Sequence, residues 1–343
     1  QQARLHEQAL AALHRLMTAH ANCGEYGPAI NYANRLLALD PWREEIHRQL
    51  MLMQARSGQR SAALAQYNAC RAMLHKEFDA EPSAETTALY ERIKESLKNK
   101  RSNLPAAVTG FVGRENELAQ LRQMLASPEI RLVTILGPGG VGKTRLALET
   151  AASCEALFLN GVWFAPLENE QPSGSNRLLL ALASVLGCVL SSPHEPAREL
   201  IHFLRSKELL LVVDELEDHL DGVGLLAELL VQAPDIKILA TSRQRLGLQA
   251  EHVFRLDGLT VPPGAQKTQE PSAARQLFIQ RARRAQADFN PSHADVLAIT
   301  KICRLGEGIP LGIELAGAWG NQFTCSEIAG QLGSSIDFLQ TRF

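Results

Sequence analysis

Over its first hundred residues the chain carries no strand signal. Alanine- and leucine-rich segments alternate with short breaks at Gly24, Asp40-Pro41, Ser57-Gly58 and Glu81-Pro82, which predicts five helices near 2–22, 27–39, 42–56, 60–77 and 83–98. The pattern then changes. Residues 131–136 form an apolar, β-branched run that reads as a buried strand, and further strands are predicted at 161–167, 209–213, 235–242 and 253–256. Helices are predicted from 115 to about 126, over 144–151 and over 175–190. After a loop at 261–271, three more follow near 272–287, 292–305 and 309–319. The fold class expected is multidomain: an all-α repeat domain, then a parallel-sheet α/β domain, then a small helical lid. The boundaries expected are 1–98, a basic, Pro-containing exposed linker at 99–109, 110–260, and 261–343.

The helical part repeats itself. Shifting the segment from Gly24 by 34 positions places Gly24 on Gly58, Ala29 on Ala63 and Ala33 near Tyr67, with small residues where paired helices touch. A period of about 34 residues is that of tetratricopeptide helix pairs, which stack into a curved array with a concave binding face. An ordinary helical bundle is the competing reading.

Chemistry enters at the first strand. The run from Arg131 to Ala151, RLVTILGPGGVGKTRLALETA, fits the phosphate-binding loop G-x-x-x-x-G-K-[ST] at Gly137, Gly142, Lys143 and Thr144. Gly139 and Gly140 with Val141 complete the loop, and Arg145 follows it. Glycines let successive N–H groups converge on a phosphate at a helix N-terminus. Lys143 is expected to reach the β- and γ-phosphates of ATP, and Thr144 to hold Mg²⁺. The strand in ELLLVVDELED ends in Asp214 and Glu215, where an open α/β sheet presents its ligand groups. Asp214 is expected at Mg²⁺ and Glu215 as the base that polarises an attacking water; an acidic solvated turn is the plainer alternative.

Composition narrows the classes. With 35 Lys+Arg against 37 Asp+Glu the formal net charge is −2, and 14 basic against 11 acidic residues up to position 104 leave no polyelectrolyte character. Six scattered cysteines show no metal-ligand spacing and read as buried thiols of a reduced, cytoplasmic protein. No apolar run approaches a membrane span, the start QQARLHEQ is no signal peptide, and no H-E-x-x-H or G-x-S-x-G occurs. Because the chain does not open with methionine, a fragment of something longer is expected.

Two family resemblances are specific. LDPWREEIHRQLM, SGQRSAALAQY and AEPSAETTALYERI, within 39–93, resemble the bacterial transcriptional activator domain of SARP-type regulators. In that family the domain follows a DNA-binding winged helix, so the resemblance implies DNA contact only through an upstream domain absent here. FVGRENEL at 111–118 resembles the hhGRExE motif of STAND NTPases, which include the NB-ARC domain. That resemblance implies that Phe111 and Val112 lie against adenine, that Arg114 lines the pocket and that Arg243, after the strand IKILATS, reads the γ-phosphate. It also implies that Pro310, in GEGIPLGIELAGAW, packs on the adenine, within an ARC1-like lid after which the chain stops short of the family's later domains.

Together these imply the switch core of a bacterial transcriptional regulator. ATP or ADP with Mg²⁺ would set the domain arrangement or drive self-association, and ATP hydrolysis would be slow, with Lys143 and Glu215 as working parts. The helical repeats would bind protein partners such as RNA polymerase or a second copy. Two other classes stand beside this one: an adaptor with a structural nucleotide, and a motor ATPase acting on nucleic acid. The neutral charge and the lack of a basic or aromatic strand-binding stretch oppose the motor.

Overall fold

The computed structural model describes residues 2–97, 102–167, 177–192, 194–261 and 272–334. The first unit holds α1 (Gln2–Asn22), α2 (Tyr26–Leu39), α3 (Glu44–Arg56), α4 (Arg60–Phe78) and α5 (Ala84–Glu95). Its 34-residue period is visible in the backbone. Gly24 and Gly58 both turn at positive φ, +76° and +84°, the left-handed conformation that ends a helix without a Cβ penalty. Ala29 and Ala63, one turn further on, are fully buried where α1 meets α2 and α3 meets α4. Helix α5 starts at Ser83, whose hydroxyl accepts a hydrogen bond from the Thr86 N–H. The break at Asp40-Pro41 is longer than the composition predicts: Trp42 and Arg43 lie before α3.

The second unit alternates helix and strand. In order come α6 (Glu115–Ala126), β1 (Leu132–Leu136), α7 (Lys143–Cys154), β2 (Val162–Ala165), α8 (Arg177–Leu186), α9 (Pro196–Leu204), β3 (Leu209–Val213), α10 (Val223–Gln232), β4 (Ile236–Ser242) and β5 (Glu251–Arg255). All strand pairs are parallel, in the order β2-β3-β4-β1-β5. Strand β4 therefore lies between the phosphate-loop strand and the strand ending in Asp214, the RecA/ASCE-like arrangement. Every residue of β3 is buried, as a strand covered on both faces requires. One face packs against α8, α9 and α10, the other against α6 and α7.

Two features of this unit differ from expectation. Part of the predicted exposed linker is docked: Ser102 bridges to Val162, while the Asn103 amide donates to the Phe164 carbonyl at 2.8 Å and accepts from its N–H at 2.6 Å. Strand β2 is a sheet edge, and its unpaired backbone groups explain why a neighbouring amide settles there. Residues 99–101 of that segment lie outside the described residues. Helices α9 and α10 were not foreseen, because short apolar runs such as VGLLAELLVQ do not declare their period.

Helices α11 (Ala273–Ala285), α12 (His293–Leu305), α13 (Pro310–Ala318) and α14 (Cys325–Ser334) build the third unit around fully buried Phe278. Of the predicted loop at 261–271, residues 262–271 lie outside the described residues. Helix α14 was not foreseen either, although Thr324 and Glu327 form a reciprocal cap that its T-x-x-E spelling announces.

The first and second units are packed together. Leu159, just before β2, is fully buried among Met51, Ala55, Tyr67 and Ile93 of the helical unit. Beside it Glu208 accepts hydrogen bonds from Arg56 at 2.6 and 2.9 Å and from Arg92 at 3.2 Å, and Arg92 also reaches Asp235 at 3.3 Å.

Candidate functional site

At the opposite, carboxyl end of the strands, β1 runs into the glycine-rich loop, and Gly140 and Gly142 take φ of +72° and +94° before α7 begins. A Cβ on Gly137 would stand 2.6 Å from the Leu256 carbonyl oxygen, so that position accepts only glycine. The Lys143 ammonium is turned onto its own loop and donates to the Gly137 and Pro138 carbonyls at 3.0 and 3.1 Å. Burial lowers its pKa from the usual lysine value; Glu217 pulls it back up, and Arg243 pushes it down.

Below the loop, the Thr144 hydroxyl donates to Asp214 Oδ1 at 2.8 Å, and the Thr241 hydroxyl of β4 donates to the same oxygen. Thr241 in turn accepts from the Glu215 N–H at 3.0 Å. Glu215 is exposed and takes a left-handed backbone conformation at φ +56°, which carries the chain sharply off the end of β3. A hydroxyl and a carboxylate held 2.8 Å apart are hard oxygen donors, and they fit Mg²⁺, which binds through one or two such groups plus phosphate oxygens and water.

A cavity of about 350 Å³ lies above these groups, within the range that takes a small ligand. Its lining combines apolar side chains, Phe111, Val112, Leu259, Leu277 and Pro310, with the charged and polar Lys143, Thr144, Glu215, Glu217 and Arg243 and with Gly139 and Gly140. Such a mixture suits a nucleoside phosphate, whose base is flat and apolar and whose phosphates are polyanionic. Arg114, buried and at φ +68°, donates to the Val141 carbonyl at 3.0 Å and to the Asp257 carbonyl at 2.8 Å, tying the loop to the chain after β5. The Arg145 guanidinium lines the cavity but is held by the Thr109 carbonyl and by Glu149.

The third unit touches the phosphate loop. The Leu311 N–H donates to the Gly140 carbonyl at 3.2 Å, and a Cβ on Gly140 would lie 2.8 Å from that of Leu311. Of the residues singled out in the sequence, Gly137, Val141 and Asp214 stand behind the cavity wall. Phe111, Val112, Arg114, Gly139, Gly140, Gly142, Lys143, Thr144, Arg145, Glu215, Arg243 and Pro310 line it. Sequence reasoning missed Glu217, Thr241 and Leu311. For Glu217 the signal was present, two positions beyond Glu215 in DELED, whereas nothing local marks Thr241 or Leu311.

Residues 1–94 match the family model of the bacterial transcriptional activator domain, and residues 114–248 match that of the NB-ARC domain. A putative HTH-type transcriptional regulator of Mycobacterium tuberculosis is 35% identical over 64% of this chain and 23% of its own length. An uncharacterized protein of the same organism is 32% identical over 62% of this chain and 51% of its own. The regulatory protein AfsR of Streptomyces griseus is 27% identical over 99% of this chain and 36% of its own length. The chain thus spans about half or less of these curated relatives. Among solved structures, a STAND protein with a tetratricopeptide repeat sensor from Pyrococcus horikoshii is 17% identical, with a TM-score of 0.42 over 70% of this chain and 34% of that one.

Proposed function

Because the chain joins a bacterial transcriptional activator domain to an NB-ARC domain, the composition of SARP-type regulators, we propose that it is an ATP/ADP-dependent switch core acting on transcription in the cytoplasm. Nucleotide state controls how the helical unit sits on the ATPase unit. One observation carries this reading. Strand β3 has Glu208 immediately before it and Asp214 immediately after it, while β4 has Asp235 before it and Arg243 after it. The same two strands therefore join the contacts that hold the helical unit to the groups that face the cavity, over roughly 20 Å along β3 and roughly 26 Å along β4 at about 3.3 Å per residue.

In this reading the glycine-rich loop, Lys143 and Arg243 bind the phosphates, and Phe111, Val112 and Pro310 take the base. Thr144 and Asp214 would hold Mg²⁺, which would supply neutralisation of the phosphate charge. Glu215, at the exposed turn, accepts the proton of an attacking water, and hydrolysis is slow. The lid responds because Leu311 rests on the Gly140 carbonyl, so any movement of the loop is felt there. Partners bind through the helical repeats.

The test is to denature the purified protein, chromatograph what is released, and titrate the emptied protein with ATP·Mg²⁺ and ADP·Mg²⁺. Released adenine nucleotide, or saturable binding of both, is expected. Failure to bind either one overturns the reading.

A further inference from the structure

Glu217 and Arg243 meet in the lining of the cavity. The Arg243 Nε lies 3.1 Å from Glu217 Oε1, and the two side chains are 65% and 8% exposed respectively. The carboxylate is thus buried, while the Arg243 side chain keeps most of its surface in solvent. Glu217 is anchored because the short helical turn Leu216–Asp218 buries Leu216 completely. The guanidinium rests on the phosphate loop: the nearest atoms to a Cβ on Gly139 would be Arg243 Cζ, Nη2 and Nε, at 3.7–4.0 Å.

We propose that Glu217 sets the ATP/ADP preference of the pocket by competing with the terminal phosphate of ATP for the Arg243 guanidinium. The inference rests on the nucleotide-switch reading above and assigns the regulation of that site to a residue outside its usual phosphate-binding parts. Glu217 takes one donor of the guanidinium, Nε, so Arg243 offers a phosphate its side-on fork of Nε and Nη2 only when that contact is given up. With ADP the pair stays closed. ATP must draw Arg243 away, leaving a carboxylate whose Oε2 already lacks a hydrogen-bond partner and is out of solvent. Breaking the pair therefore exacts a cost on ATP that ADP does not meet. Glu217 acts through Arg243 and is a positioning residue: no proton transfer is assigned to it.

The experiment measures Kd for ATP·Mg²⁺ and ADP·Mg²⁺ by competition with a fluorescent nucleotide. It uses the full chain as parent, Glu217→Gln, Glu217→Asp, Arg243→Ala, and the double variant of Glu217→Gln with Arg243→Ala. Melting without nucleotide checks that each folds. Glu217→Gln is expected to raise the ATP-to-ADP affinity ratio about tenfold, roughly 1.4 kcal/mol, with ADP affinity nearly unchanged. Glu217→Asp, which keeps the charge, restores most of the parental ratio, and in the Arg243→Ala background the Glu217→Gln effect falls below about threefold. A purely structural Glu217 would weaken both nucleotides alike, and that result overturns the proposal. So does an effect of full size without Arg243. If the Glu217→Gln variant does not fold, the Glu217→Asp ratio decides: a ratio unlike the parent's overturns the proposal. A parent that binds neither nucleotide overturns the switch reading itself, whereas a parent that binds both with an unchanged ratio in Glu217→Gln overturns only this inference.

Discussion

Arg56 and Glu208 form a two-point contact across the boundary between the helical and ATPase units, with the Arg56 Nε and Nη2 atoms donating to one Glu208 oxygen at 2.9 and 2.6 Å. Arg92 takes the other oxygen at 3.2 Å. Glu208→Ala leaves both guanidinium groups facing an unfilled hole. Breaking a buried pair costs roughly 3–5 kcal/mol, and partial exposure of the arginines reduces that here to about 2 kcal/mol. Chemical denaturation should read this loss, and a change within about 0.5 kcal/mol would show the clasp to be ornamental.

Leu159 makes the apolar half of the same boundary. Fully buried among helical-unit side chains, it should cost about 2–5 kcal/mol on truncation to alanine, as a core leucine does. Unfolding monitored by circular dichroism tests this. A loss under about 1 kcal/mol would mean that the helical unit does not rely on the ATPase unit for its core.

Lys237 gives the boundary a pH signature. Burial, with the Arg56 and Arg131 guanidinium groups nearby, lowers its pKa from 10.5 to about 8. Between these values the unfolded chain holds a proton that the folded protein has lost, so folding stability contributed by this group rises as pH goes from about 8 to 10.5 and is absent below. The parent should therefore gain stability relative to Lys237→Met over that range, read from denaturation midpoints at each pH. A difference independent of pH would contradict the shift.

Gly140 couples the loop to the lid. At φ +72°, a side chain there costs about 1–2 kcal/mol in backbone strain and pushes against Leu311 as well. Gly140→Ala is expected to speed nucleotide release by about tenfold or more in stopped-flow measurements. Unaltered release would mean that the contact between the Leu311 N–H and the Gly140 carbonyl does not bear on the ligand.

The two acids after β3 should separate. Glu215→Gln keeps size but accepts no proton, so it should retain ATP affinity while hydrolysis falls at least about a hundredfold. Asp214→Ala should instead remove the Mg²⁺ dependence of binding. Equal turnover by the parent and Glu215→Gln would assign Glu215 to the surface.

Much of this was legible in the sequence because its signals are local. The left-handed glycines at 24 and 58, the loop at 137–142 and the buried strand before Asp214 each need particular residues in consecutive positions. What escaped is what long-range packing decides. Leu159 reads as one more apolar residue until α3 and α5 are placed against it. Thr241 is an ordinary strand threonine until the order of the sheet sets β4 beside β3, and only then does its hydroxyl meet Asp214. Leu311 follows Pro310 unremarked until the lid folds back onto Gly140. The docking of Asn103 on β2 escaped for the converse reason, since a basic, Pro-containing composition describes solubility and not the sheet edge it meets.

The most direct test of the central claim is a distance across the boundary between the units. Spin labels at exposed Cys23 and at an introduced Glu228→Cys, with Cys188 replaced by serine, report how the helical unit sits on the ATPase unit. The account predicts distance distributions that differ between ATP·Mg²⁺ and ADP·Mg²⁺, and a Lys143→Ala protein whose distribution answers to neither. Identical distributions in the two nucleotides, with binding of both verified in the same samples, would contradict it.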